Sequence, residues 1–194
     1  MTDDRRDVFL IKPTRHDDPR GWFSETYNED KYRALGLGLR FVQDNHSLSR
    51  AIGVVRGLHF QAPPRAQAKL VSCIRGAVWD VCVDIRKGSP TYGKWVAATL
   101  SEANGHQLFV PAGFAHGFVT LEPDSQLFYK VGDYYSKEAE GGLAWDDPDL
   151  GISWPLPDSG PILSDKDSDL PQLAGFESPF DFEGGELQIL GEMG

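Results

Sequence analysis

Several polar side chains stand where a strand-rich chain would place apolar ones, and together they carry acid–base chemistry. His59 lies in the run RGLHF, Lys69 opens KLVSCIR, Asp80 sits between Val78 and Cys82, and Tyr129 with Lys130 ends LFYK. An imidazole titrates near about 6.5 and takes or returns a proton at neutral pH. A phenol can deliver a proton, and an ammonium can stabilise a developing oxyanion. Taken singly, each residue reads first as a satisfied core group or a sheet-edge residue. Charged groups are almost never buried unpaired. If these faces converge on one interior, the expectation is a functional cavity.

A further histidine stands in VPAGFAHGF (110–118), which has the form PxGxxH. This is the second half of a cupin-type jelly-roll signature, in which a Gly-rich turn sets His116 at the barrel mouth. The metal-binding first half needs an HxH pair followed by Glu, and GLHFQAPP offers His59 alone. A metal-dependent reading would have to use His59, His116 and a carboxylate with the usual partners missing. The expectation is no metal and no cofactor.

The elements that must position these groups are strands. In AVWDVCVDIR (77–86), Ala77, Trp79, Val81, Val83 and Ile85 share one face; Val78, Asp80, Cys82, Asp84 and Arg86 share the other. Short apolar runs recur at VVRGLHF (54–60), KLVSCIR (69–75), KWVAATL (94–100), QLFVPAG (107–113), GFVTL (117–121) and QLFYKV (126–131). Turn signals such as APPR, RGA, KGSP, EANG and EPDS separate them. Within its run His59 shares strand parity with Val55 and Gly57. One helix is expected over roughly 29–35, capped by Asn28 and stopped by Gly36. The fold expected is mainly β, a jelly-roll barrel of two antiparallel sheets with a few short helices. The five tryptophans, Trp22, Trp79, Trp95, Trp145 and Trp154, read as core or interface.

The 194 residues suffice for one core, and residues 1–182 read as a single domain. After about residue 141 the chain becomes rich in Pro, Asp and Gly, an irregular wrap around the sheets. The net charge of −10 argues against a nucleic-acid partner. No Lys or Arg follows Lys166, whereas seven acids do, and 183–194 reads as an acidic, solvated tail. Cys73 and Cys82 form no CxxC pair and read as buried thiols. No apolar leader or membrane span stands out, so a cytoplasmic protein is expected.

The segments DPRGWFSETYN (18–28), FVQDNHSLS (41–49), GVVRGLHFQ (53–61), 67–95, LFVPAGFAHGF (108–118), FYKVGDYYSKEAEGG (128–142) and LSDKD (163–167), in this order, closely resemble the dTDP-4-dehydrorhamnose 3,5-epimerase family over about residues 8–182. The resemblance implies a metal-free cupin fold that inverts C3 and C5 of dTDP-4-dehydro-6-deoxy-D-glucose. It makes His59 the base, Tyr129 the proton donor on the opposite face, and Asp167 the acid that orients the histidine. Lys69 and His116 would line the sugar pocket, with Asp80 in support. Arg20, Phe23, Glu25, Gln43, Asn45 and Arg56 would contact the nucleotide and diphosphate. Tyr135 would stack near the thymine, and Glu140 and Lys166 would add ligand contacts. It further implies a homodimer in which an N-terminal segment crosses to the partner. Lys137 departs from the family's usual Pro, and the tail runs beyond its common end. Three alternatives share most of these motifs: a mono-epimerase of C3 or C5, a metal-dependent cupin enzyme, and a non-catalytic sugar-nucleotide-binding jelly roll.

Overall fold

Alternating apolar faces require two partners for each sheet, one within the sandwich and one outside it. The computed structural model describes residues 7–184 and the backbone of 190–193. In chain order the strands are β1 (Val8–Ile11), β2 (His16–Asp18), β3 (Gly21–Phe23), β4 (Gln43–Ser49), β5 (Val55–Gln61), β6 (Lys69–Arg75), β7 (Ala77–Asp84), β8 (Trp95–Ser101), β9 (Gln107–Val110), β10 (Phe114–Thr120), β11 (Ser125–Val131), β12 (Glu140–Gly142) and β13 (Leu190–Met193). Helices α1 (Glu29–Ala34) and α2 (Asp165–Ser168) are short. One sheet is ordered β13-β1-β9-β6-β11-β4 and the other β12-β5-β10-β7-β8, with β2 and β3 a separate hairpin. Pairing within both sheets is antiparallel except between β1 and β13. The expected mainly β, two-sheet jelly roll is what the chain adopts.

The two faces of β7 go where their alternation sends them. Val78 and Cys82 point between the sheets and pack with Val71, Leu108, Phe114, Phe118 and Leu127. Val81 and Val83 lie on the outer face, beneath a wrap that contributes Leu143, Leu150, Trp154, Leu173 and Phe180. Full burial of each such aliphatic side chain stabilises the fold by roughly 1.5–3 kcal/mol. The outer face of the six-stranded sheet is closed by Tyr32 and Leu37 over Phe9, Ile11, Leu70 and Phe109. Helix α1 starts at Asn28, whose side chain accepts from the backbone N–H of Asp30 and Lys31. Gly36 follows it with φ +82°.

The structure differs from the sequence reading in three places. The turn expected to carry His116 ends earlier, so His116 is the third residue of β10 and is buried. The polar run Gln43–Ser49 is a full strand, β4, although no apolar alternation marks it. Leu190–Met193, in the segment read as a solvated tail, pairs parallel with β1; residues 185–189 and 194 lie outside the described residues.

A bulge in β5 decides what the cavity wall contains. Two steps along β10, His116 to Phe118, match three along β5, His59 to Arg56. Gly57 sits in the bulge at φ +122°, where a Cβ would come 2.6 Å from Gly117 Cα. A Cβ on Gly117 would in turn come 2.8 Å from the Arg56 carbonyl oxygen. We expect Gly57→Ala to cost about 2 kcal/mol or more in urea unfolding. Gly88, also at positive φ (+76°) but with nothing within 4 Å, supplies the control. Equal losses for Gly57→Ala and Gly88→Ala would show that the close approach to Gly117 is immaterial.

Candidate active site

One end of the sandwich interior is polar. A cavity of ≈ 180 Å³ there is lined by Ser47, Arg56, His59, Lys69, His116, Phe118, Leu127, Tyr129 and Asp167. The walls come from both sheets. Arg56 and His59 stand on β5 and His116 and Phe118 on β10; Lys69 stands on β6, Leu127 and Tyr129 on β11, and Ser47 on β4. The imidazole of His59 and the phenol of Tyr129 therefore belong to opposite walls. The bulge puts Arg56 on the same cavity as His59, where regular alternation would have turned it away.

Asp167 arrives from 108 residues further along the chain. The strap before it is clamped to the start of β5: Val55 N–H donates to the Ile162 carbonyl at 2.9 Å, and Ile162 N–H to that of Gly53 at 2.8 Å. Helix α2 then turns the carboxylate inward, and His59 Nε2 lies 2.5 Å from Asp167 Oδ1. The carboxylate occupies Nε2, which leaves Nδ1 as the nitrogen able to take a proton. His116 makes a parallel arrangement, its Nε2 2.8 Å from Asp80 Oδ1. Among the described residues, no three His, Cys, Asp or Glu side chains are grouped to hold a metal ion.

Burial sets the titration of this end. It pushes the His59 imidazole below its usual 6.5; the Asp167 carboxylate opposes this, Lys69 and Lys166 add to it, and burial wins. Burial also lowers Lys69 from 10.5 to about 8, against the pull of Cys82, Asp80 and Glu140. The Tyr129 phenol is pushed up by burial, so it stays protonated at neutral pH. The imidazole is thus a neutral base and the phenol a loaded acid under ordinary conditions.

The remaining expected ligand residues fall in two groups. One group, outside the cavity lining, is bonded together: Gln43 Nε2 donates to Asn45 Oδ1 at 2.9 Å, and Gln43 Oε1 accepts from the Tyr135 N–H at 3.1 Å. The Tyr135 hydroxyl donates to Glu140 at 3.2 Å, and Lys166 pairs with Glu140 at 2.5 Å. Arg20, Phe23 and Glu25 are not brought to this cavity: Arg20 pairs with Asp18 and Glu25 with Lys31, and Phe23 is 70% exposed. Lys130 also faces away, bonded to Asp44. The sequence reading missed Ser47, which the alternation Gln43–Asn45–Ser47 along β4 would have placed on the cavity wall.

A jelly roll that gathers two imidazoles, an ammonium and a phenol around one cavity is built to move protons. A family model described as dTDP-4-dehydrorhamnose 3,5-epimerase matches residues 4–175. The chain is 55% identical over 177 residues to the dTDP-4-dehydrorhamnose 3,5-epimerase of Sinorhizobium fredii, covering 91% of this chain and 89% of that one. The crystal structure of the Bacillus anthracis enzyme with TDP and PPi bound is 49% identical, covers 86% of this chain and 94% of its own, and superposes with a TM-score of 0.84. The Legionella pneumophila epimerase in complex with dTDP-4-keto-L-rhamnose is 43% identical, with a TM-score of 0.85 and coverage of 90% and 93%. The chain belongs to the dTDP-4-dehydrorhamnose 3,5-epimerase family, a family of isomerases.

The electrostatics make a direct prediction. In an NMR titration, the His59 ring should change protonation below 6.5, and Asp167→Asn should move its midpoint lower still, because the carboxylate is what holds it up. An upward shift in Asp167→Asn would mean that the pair does not stabilise the imidazolium.

Proposed function

We propose that this chain inverts C3 and C5 of dTDP-4-dehydro-6-deoxy-D-glucose, giving dTDP-4-dehydro-L-rhamnose. The observation that carries the reading is the carboxylate-held imidazole of His59 facing the phenol of Tyr129 across one cavity. A 4-keto group acidifies the hydrogens on its two neighbouring carbons, since either carbanion delocalises into an enolate. In the D-gluco ring those hydrogens are axial on one face, so a single base serves both. His59 Nδ1 takes the proton, and the C–H electron pair moves into the enolate. Tyr129 returns a proton on the other face, and exchange with solvent resets both groups. Lys69, still charged at neutral pH, balances the enolate oxygen. Arg56 is fixed by the Leu48 carbonyl and the Ser49 hydroxyl, each at 3.2 Å, and offers its guanidinium to the diphosphate.

The test is exchange of substrate hydrogens in D₂O, followed by NMR at C3 and C5. His59→Ala abolishes both exchange and inversion, a loss of about 10²-fold or more. Tyr129→Phe loses inversion more than exchange, because the enolate is then re-protonated from the original face. Wild-type exchange in His59→Ala would remove His59 as the base. In the unaltered enzyme kcat/KM should fall on the acidic side as His59 gains its proton, below 6.5, and on the basic side as Lys69 loses its own, near 8.

The assembly we infer is a homodimer in which the β2–β3 hairpin of one protomer reaches its partner's cavity. Arg20, Phe23 and Glu25 are exposed and do not line the cavity of their own chain, yet match nucleotide contacts that the family resemblance implies. Two inactive variants, Arg20→Ala and His59→Ala, should regain up to about a quarter of the activity when refolded together, since half of the sites in mixed dimers are then intact. No recovery would place Arg20 in its own protomer's site. The free, buried thiols of Cys73 and Cys82 suit a reducing cytoplasm.

A further inference from the structure

The base is held by Asp167, and Asp167 is itself held. Its side chain is buried, and its two oxygens are used differently. Oδ1 meets His59 Nε2 at 2.5 Å; Oδ2 accepts from the Ser164 hydroxyl at 2.9 Å. The Ser164 Oγ also accepts from the Asp167 backbone N–H at 3.2 Å. With that lone pair occupied, the hydroxyl hydrogen is directed onto the carboxylate. Lys166, the adjacent cation, turns away to Glu140 and leaves the carboxylate to the serine. The contrast stands two strands along the same sheet, on β7. Asp80 carries the one buried side-chain oxygen without a partner among the described residues, Oδ2. Without Ser164, Asp167 Oδ2 would be left in that state. Ser164 is also well anchored, two residues beyond the Ile162 clamp onto β5, the strand that carries His59.

We propose that Ser164 is a positioning residue of the reaction: its hydroxyl fixes the Asp167 carboxylate so that Oδ1 holds the His59 imidazole with Nδ1 toward the substrate. The inference rests on the reading of His59 as the base. It goes beyond helix capping, which Ser164 also performs for α2. Glycine is itself tolerated at an N-cap, so Ser164→Gly leaves the helix start largely intact. Holding the carboxylate needs a donor, which glycine lacks.

The experiment measures kcat, KM and solvent deuterium exchange for Ser164→Ala, Ser164→Gly and Ser164→Thr, and for Ser164→Ala combined with Asp167→Asn, with a thermal melt to verify folding. Ser164→Ala and Ser164→Gly should both lose about 10-fold in kcat and exchange, with KM changed less than about 2-fold, as expected when a hydrogen bond to a charged group is lost. Ser164→Thr keeps the hydroxyl and should stay near wild type. In the Asp167→Asn background Ser164→Ala should cost nothing further, because the carboxylate it positions is gone. Wild-type kcat in Ser164→Gly, a loss confined to KM, or losses that add in the double variant would overturn the proposal. If Asp167→Asn alone kept wild-type exchange, the His59–Asp167 reading would fall, and this one with it. If Asp167→Asn lost activity while Ser164→Gly did not, only the role of Ser164 would fall.

Discussion

The cost of taking charge out of water governs this molecule. Imidazoles, an ammonium and carboxylates are gathered between two apolar sheets, where an unpaired charge is expensive. The chain meets that cost by pairing across elements: α2 supplies Asp167 to His59 on β5, and β7 supplies Asp80 to His116 on β10. Lys69 is the exception. Its Nζ reaches the His59 carbonyl at 3.4 Å, and burial brings it down to about 8. Among the described residues no carboxylate pairs with this half-buried ammonium, which leaves its charge directed at the cavity. The polar groups of the site are thus held in place by the protein itself, the condition under which fixed dipoles and charges act without solvent reorganisation.

That arrangement depends on residues far from the chemistry. The strap carrying Asp167 belongs to the wrap that covers the outer face of the five-stranded sheet. The wrap is fixed by Trp154 packed edge-on against Trp79, its indole N–H donating to the Trp145 carbonyl at 2.7 Å. At the end of β7, Asp84 takes hydrogen bonds from Arg86, Ser89 and Thr91. The Arg86 guanidinium lies over the rings of Phe114 and Phe182. These contacts join the barrel to the segment after it. The wrap therefore bears on the cavity, because the position of the Asp167 carboxylate is only as fixed as the strap that bears it.

Net charge and local charge act on different scales here. A chain of net charge −10 can still present local positive charge, because surface charges beyond a Debye length of about 8–10 Å are screened. Arg56 is held at the cavity by β4, whereas Arg20 stands on the hairpin, its side chain 89% exposed. The first is fixed within its own chain, and the second is paired, among the described residues, only with Asp18, two residues before it.

Period-two alternation made the strands legible in the sequence. β6 is the run KLVSCIR to the residue, and the two faces of β7 part as their alternation says. Asn28 and Gly36 marked the ends of α1 for local reasons of capping and positive φ. His59, Lys69 and Tyr129 were conspicuous because polar groups in apolar runs need a reason, and family motifs added Asp167. The strand β4 was not legible, because Gln43, Asn45 and Ser47, which share one face, are polar and give no apolar period. Nor was the company the residues keep. Local alternation fixes side-chain direction only within an unbroken ladder, and the bulge at Gly57 breaks it, bringing Arg56 and His59 to one cavity. The partner of His59 lies 108 residues away, and that of His116 lies 36 away. Such distances in sequence are closed by sheet register and by a strap's backbone clamp. Both are properties of how strands pair in space, and no local pattern of residues encodes them.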